Sequence, residues 1–324
     1  MTETNILFLA PHWRVSLIKA FQGARARLKM KGRMIGADSD PEAPASRLMD
    51  ASFTLPPFSE SGCLESIEEI CSKESVNMIL PLTNKAIDFL DRHRGTFMDK
   101  GLLPYLAGSE TIEICHDKLK LAEFLKSNDL PVPETVSASS LEKDPFFPMI
   151  AKPRTGEGGK DCYRIENRED LEFYSRKCSG HVFQQFVPGR EFSIDWFSDR
   201  KGVPVLVVPR ERLVVQGGEV RVSRIRLDER IIDIAKSAGT KLNLKGPCTL
   251  HGILDSSDQF WFTDFNLRFG SGSVHTLEAG GDIPSIIYSE LNGGTPESVP
   301  VSVQDGSMMT RFLDHLIFPS GSGV

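Results

Sequence analysis

The sequence predicts an α/β fold, with a parallel sheet in the first third and antiparallel strand pairs in the remainder. Two patterns lead there. In the first hundred residues short apolar runs alternate with segments of helical spacing: Asn5–Ala10 before Arg14–Lys31, Gly32–Ala37, then Cys63–Ser75 before Asn77–Pro81 and Lys85–His93. Strands and helices in alternation imply parallel strands joined by crossover helices. Later, apolar runs are separated by tight turns, at Pro188-Gly189 and at Asp255–Asp258, the second of which joins its flanking strands as a hairpin.

The 324 residues suffice for two or three domains. A net charge of −6 argues against a broad nucleic-acid surface. The six cysteines, Cys63, Cys71, Cys115, Cys162, Cys178 and Cys248, form no C-x-x-C and match no zinc spacing. They read as reduced thiols of a cytoplasmic protein. Met1–Asn5 lacks the basic start of a signal peptide. No apolar run approaches the roughly 20 residues that span a bilayer. Neither a nucleic-acid nor a membrane partner is expected.

The first strand runs into Pro11-His12-Trp13-Arg14 rather than glycines. Ligands of such sheets sit at the strands' carboxyl ends, so this turn reads either as a substrate contact or as an ordinary loop with a surface histidine. Ser109–Ser127 reads as one helix, capped by Ser109 and apolar through Ile112, Cys115, Leu119, Ala122 and Leu125. Leu130-Pro131-Val132-Pro133 ends it. A strand from Phe146 then meets Lys152 and a glycine loop, Arg154-Thr155-Gly156-Glu157-Gly158-Gly159-Lys160-Asp161. Glycines let backbone N–H groups approach an anion closely, and Lys152, Arg154 and Lys160 add positive charge. The stretch suits a polyphosphate or is a surface loop with solvated charges. It is not a Walker A loop, because Asp161 follows Lys160 where Ser or Thr is required. Nor is it a Rossmann fingerprint, because Asp161 stands at the third glycine position.

After a helix over Asn167–Lys177, the stretch His181–Trp196 reads as strand, turn, strand. Glu191, Ser193 and Asp195 alternate with apolar residues and share a face. That face is either solvated or a ribose and metal site. A strand at Pro204–Val208 leads to Pro209-Arg210-Glu211-Arg212, Gly217-Gly218 makes a turn, and Leu227–Ala238 reads as a helix. Cys248–Leu254 and Gln259–Asp264 pair as a hairpin, and its second strand continues so that Asp264, Asn266 and Arg268 share one face. Mg²⁺ takes oxygen ligands and keeps several waters, which Asp264 and Asn266 suit. An arginine in the same row can stabilise a transferring phosphoryl group. The alternative is an exposed face whose Asp–Arg pair contributes ~0–1 kcal/mol.

In register, these segments resemble the ATP-grasp superfamily, on the branch similar to the large chain of carbamoyl-phosphate synthase. The motifs are Pro81-Leu82-Thr83-Asn84, Asp117-Lys118, Leu130–Pro133, Ala151–Arg154, Gln184–Glu191, Val208–Arg212 and Asp264–Arg268. The resemblance implies a parallel-sheet pre-ATP-grasp domain over 1–110. It also implies an ATP-grasp fold of two subdomains with the nucleotide between them: a lid over 111–187 and a metal-bearing part over 188–324. It implies that Lys118 and Lys152 contact ATP phosphates, and that the loop of Thr155, Gly156, Gly158 and Gly159 closes over them. It further implies that Gln184, Gln185, Phe186 and Val187 recognise adenine and Glu191 the ribose. Asp264 and Asn266 would ligate Mg²⁺, with Mn²⁺ as the alternative ion. Arg268 would stabilise the phosphoryl group, and Arg210 would lie near the substrate carboxylate or γ-phosphate. Ser271, Ser273 and His275 are candidates for the substrate side.

Three positions depart from the family pattern: Gln185 and Asp264 where Glu is usual, and His251 where a second oxygen ligand is expected. The resemblance implies an ATP- and Mg²⁺-dependent ligase joining a small carboxylate to an amine through an acyl phosphate. The departures keep open a nucleotide-binding, catalytically weak protein with a regulatory or assembly role. A homodimer is the default oligomer.

Overall fold

The computed structural model describes residues 3–141, 145, 147–156, 159 and 161–317. Phe146, Glu157, Gly158 and Lys160 lie outside the described residues. The chain forms two compact units: Met1–Leu106 with Ser271–Gln304 and Arg311–Val324, and Ala107–Gly270 with Asp305–Thr310.

The first unit follows the alternation of the sequence. Its elements begin with β1 (Ile6–Leu9), α1 (Val15–Arg27), β2 (Met34–Asp38), β3 (Ala51–Thr54) and α2 (Cys63–Lys73). They continue with β4 (Met78–Pro81), α3 (Asn84–Arg92), α4 (Arg94–Asp99) and β5 (Leu103–Pro104). The five strands lie parallel in the order β3-β2-β1-β4-β5. β1 is central, and all four of its residues are fully buried. That is the continuous apolar signature of a strand covered on both faces. β3 has no counterpart in the sequence reading, because Ala51, Ser52, Phe53 and Thr54 make too short a run to stand out.

The second unit holds α5 (Ser109–His116), α6 (Lys118–Ser127), β6 (Thr135–Ser137), β7 (Met149–Pro153), β8 (Tyr163–Ile165), α7 (Arg168–Lys177) and β9 (His181–Gln185). It continues with β10 (Gly189–Ser198), β11 (Pro204–Gln216), β12 (Glu219–Ile225), α8 (Glu229–Lys241), β13 (Gly246–Asp255) and β14 (Phe260–Asn266). The single helix expected over 109–127 is two. Asp117 leaves the helical region at φ −116°, ψ 108°, and its carboxylate accepts the N–H groups of Leu119 and Lys120. An aspartate that caps a new helix so well competes with continuation of the old one.

Strands β6-β9-β7-β8 form a small antiparallel sheet over a core of Met149, Ala151, Ile165, Leu171 and Phe183. The larger sheet runs β14-β13-β10-β11-β12, all antiparallel. Helix α8 covers the face that carries Trp196. A Cβ at Gly239 would lie 2.4 Å from the Trp196 ring, so only glycine lets the helix approach this closely.

After Gly270 the chain returns to the first unit with α9 (Val274–Glu278) and α10 (Ile283–Leu291). There Tyr288 meets Phe21 of α1 edge-on at 6.0 Å. Finally β15 (Met308–Thr310) pairs with β12 and extends the larger sheet to six strands. Among the described residues no helix is long and apolar enough to cross a membrane.

Candidate functional site

The face of the six-stranded sheet opposite the one that carries Trp196 holds a polar band, most of it buried: Ser193, Asp195, Arg210 and Thr249 are at most 4% exposed. Strand register puts Asp264, His251, Ser193 and Arg210 directly opposite one another on β14, β13, β10 and β11. Asn266, Thr249 and Asp195 form the next row. Residues opposite each other on antiparallel strands share a face, so the period-two pattern of each strand becomes one surface.

Within that surface three side chains of β14 and its extension are linked. Asn266 Nδ2 donates to Asp264 Oδ2 at 3.2 Å, and Arg268 Nη2 donates to Asn266 Oδ1 at 3.4 Å. Asp264 is a quarter exposed and Asn266 is buried. Rotation of the Asn266 amide would turn its oxygen beside the Asp264 carboxylate, so the pair offers oxygen donors of the kind that Mg²⁺ prefers. Among the described residues no group of three His, Cys, Asp or Glu side chains is placed to hold a metal ion.

The two lysines come from the smaller sheet and the helix start. Lys152 lies on β7 and is 8% exposed. Its Nζ donates to Gln184 Oε1 at 2.8 Å and to the Thr263 carbonyl at 2.9 Å. Neither acceptor is charged. Burial therefore lowers its pKa from 10.5 to about 8, with nearby Asp264 opposing the fall. Lys118 opens α6, and its backbone N–H donates to the Arg154 carbonyl at 2.9 Å. Its Nζ donates to the Gly156 carbonyl at 2.9 Å and lies 3.9 Å from Asp264 Oδ1. The glycine loop is thus tied at its root, where Gly156 takes φ 115°. Arg154 Nε contacts both oxygens of Asp117 at 2.8 and 2.9 Å, so the residue that breaks the helix also anchors the strand end. Burial pushes the Asp117 carboxyl up, but Arg154 and the helix N–H groups hold it below the usual value.

The expected adenine segment is arranged in a way its sequence did not reveal. Gln184 points inward: its Oε1 accepts from Lys152 and its Nε2 donates to Thr135 Oγ1 at 2.8 Å. Gln185 is exposed. The backbone N–H groups of Gln185 and Phe186 already donate to Glu134 and Pro148. Val187 N–H has no acceptor among the described residues, which makes it the available donor of this strand. Glu191 is exposed and paired with Arg212 at 3.1 Å. Gly159 and Gly218 approach closely, so the β11–β12 turn lies beside the glycine loop.

Arg210 differs from an open anion contact. It is 1% exposed and its Nε and Nη2 are held by Asp195 at 2.6 and 3.1 Å; only Nη1 lacks a partner. His251 is half-buried with Nδ1 3.2 Å from Ser193 Oγ, and burial lowers its pKa to about 4, so the ring is neutral at pH 7. In the first unit, His12 is more than a surface histidine. Its Nδ1 lies 3.1 Å from Asp38, whose buried carboxylate also accepts the His12 and Asp40 N–H groups. Ser273 and His275 are 2% and 5% exposed, which makes them part of the first unit's packing, whereas Ser271 is exposed.

Residues 115–271 match the family described as the ATP-grasp domain, and residues 6–104 match the PylC-like N-terminal domain. A carbamoyl-phosphate synthase of Methanobrevibacter smithii is 24% identical over 142 residues, which span 41% of this chain and 38% of that protein. A D-alanine–D-alanine ligase of Thermotoga petrophila is 23% identical over 226 residues, 61% of this chain and 74% of that protein. The structure of an L-amino acid ligase from Bacillus licheniformis superposes with a TM-score of 0.73 at 21% identity, covering 93% of this chain and 78% of that one. With its motifs in register and its larger sheet and lysines arranged as described, the chain belongs to the ATP-grasp superfamily, an ATP-grasp domain behind a PylC-like N-terminal domain.

Proposed function

We propose that the chain is an ATP- and Mg²⁺-dependent ligase that joins a small carboxylate to an amine through an acyl phosphate. The observation that carries this is the approach of two lysines, from β7 and the start of α6, to the Asp264–Asn266–Arg268 row. A carboxylate attacking a triphosphate is an anion attacking an anion, and that barrier falls when fixed positive charge surrounds the phosphates. Lys152 reaches the site held by two neutral acceptors, which leaves its third proton for a phosphate oxygen. Lys118 adds a second ammonium and tethers the loop root. Arg268 presents a guanidinium at the end of the row. Asp264 and Asn266 would hold Mg²⁺, with Mn²⁺ as the alternative ion, which would supply positive charge to offset that of the phosphates.

The reaction needs no protein nucleophile. The substrate carboxylate oxygen bonds to the γ-phosphorus as the bridging bond to ADP breaks. The amine then bonds to the acyl carbon, phosphate leaves, and the amine proton passes to solvent. Closure of the segment that carries Thr155, Gly156 and Gly159 over this chemistry would keep water from the acyl phosphate. In this reading 111–187 is the lid, Gln184–Val187 is the adenine-facing strand and Glu191 holds the ribose. Arg210, already committed to Asp195, supports the surface from below more than it touches substrate.

The test is ADP release over a panel of amino acids and small acids, each offered with amines. Turnover unchanged in Lys152→Ala or Asp264→Ala would overturn the assignment. ATP binding by calorimetry with no ADP release for any pair would favour the catalytically weak alternative.

A further inference from the structure

The polar band contains one histidine that the proposed reaction leaves without a task. His251 stands on β13 directly opposite Asp264 of β14 and opposite Ser193 of β10. Side chains so placed have Cβ atoms about 4.5–5.5 Å apart. Thr249 and Asn266 face each other two residues further along β13, so His251, Asp264 and Asn266 converge on one patch of the sheet. The histidine is fixed there: Nδ1 lies 3.2 Å from Ser193 Oγ, and Nε2 has no hydrogen-bond partner among the described residues. When Nδ1–H donates to the serine oxygen, the Nε2 lone pair is left free. An oxygen holding the remote nitrogen is the usual way a protein orients an imidazole toward a metal ion.

Resting on the reading of this surface as a nucleotide–cation centre, we infer that His251 Nε2 is a third protein ligand of the cation held by Asp264 and Asn266. The ion then has one imidazole nitrogen beside two protein oxygens. Ser193 is a positioning residue that sets the tautomer. The donor set has a consequence for metal choice. Mg²⁺ gains little from nitrogen, whereas a first-row transition ion accepts imidazole and carboxylate together. The site should therefore favour Mn²⁺ over Mg²⁺ more strongly than an all-oxygen site does.

The experiment is pulsed EPR on the full chain with Mn²⁺ and β,γ-methylene ATP, whose bridge contains no nitrogen. Nitrogen modulation from a directly bound imidazole is expected, and ¹⁵N labelling of the protein with unlabelled nucleotide should change it. His251→Gln should abolish the modulation and weaken Mn²⁺ binding by ~10–100-fold, with a smaller loss for Mg²⁺, and Ser193→Ala should weaken Mn²⁺ binding in the same direction. The wild-type spectrum needs no variant to fold. Mn²⁺ and nucleotide bound without protein nitrogen modulation would overturn the inference while leaving the ligase reading intact. An equal Mn²⁺ to Mg²⁺ preference in wild type and His251→Gln would also overturn it. Failure of the Mn²⁺–nucleotide complex to form would overturn both.

Discussion

Replacing Lys152 by methionine separates what the buried lysine costs the fold from what it contributes to the site. The side chain is 8% exposed and its ammonium is met by two neutral oxygens, Gln184 Oε1 and the Thr263 carbonyl. The fall from 10.5 to about 8, at about 1.4 kcal/mol for each tenfold change in proton affinity, means the folded chain holds this charge at a cost of about 3 kcal/mol. Methionine has similar length, removes that cost, and leaves two acceptors unpaired at about 1–3 kcal/mol each. Stability at pH 7 should therefore fall by no more than about 3 kcal/mol, while ATP binding is lost.

The pH dependence is the sharper readout. Between pH 8 and 10.5 the unfolded chain keeps the Lys152 proton and the folded chain has released it. The unfolded state then binds more protons, so wild-type stability rises with pH. By pH 9.5 the wild type should gain about 2 kcal/mol relative to Lys152→Met. Urea midpoints at pH 7 and 9.5 measure this. A difference between the two proteins that stays constant with pH, or moves the other way, would refute the reasoning, as would a loss above about 4 kcal/mol at pH 7.

Two further outcomes follow from buried or paired charges. Asp195→Ala strands the 1%-exposed Arg210 and should cost about 3–5 kcal/mol; Asp195→Leu with Arg210→Met should recover most of it in a urea melt, and a mild single variant would show that the pair is solvated. The Asp38 hydrogen bond raises the His12 pKa despite partial burial, so the pair's contribution is complete below pH 6.5 and is lost as pH rises through the folded value. His12→Gln should therefore lower the urea midpoint at pH 6 and much less at pH 9, and equal losses at both would rule out a charged pair.

Much of the architecture was legible because it rests on local periodicity. Alternating apolar runs and helical spacing specified the parallel sheet around β1, and the hairpin of β13 and β14 followed from period-two patterning around Asp255–Asp258. The row of Asp264, Asn266 and Arg268 was readable because a strand places i, i+2 and i+4 on one face. The helix break at Asp117 was not, because a continuous apolar stripe hides a capping carboxylate. Partners distant in sequence were likewise invisible. Thr135, Gln184 and Lys152 form one hydrogen-bonded line, Asp195 closes on Arg210, and Ser193 reaches His251 across 58 positions.

Sequence alone therefore indicated most of the elements, though not β3 or the helix break at Asp117, and the kinds of groups available: lysines, a glycine loop and a carboxylate–amide–guanidinium row. Only the folded chain decided which groups meet and in what charge state. Strand register selects the residues that stand opposite one another, and burial decides whether they keep their protons. Lys152 near pKa 8 and a neutral His251 are products of that tertiary environment.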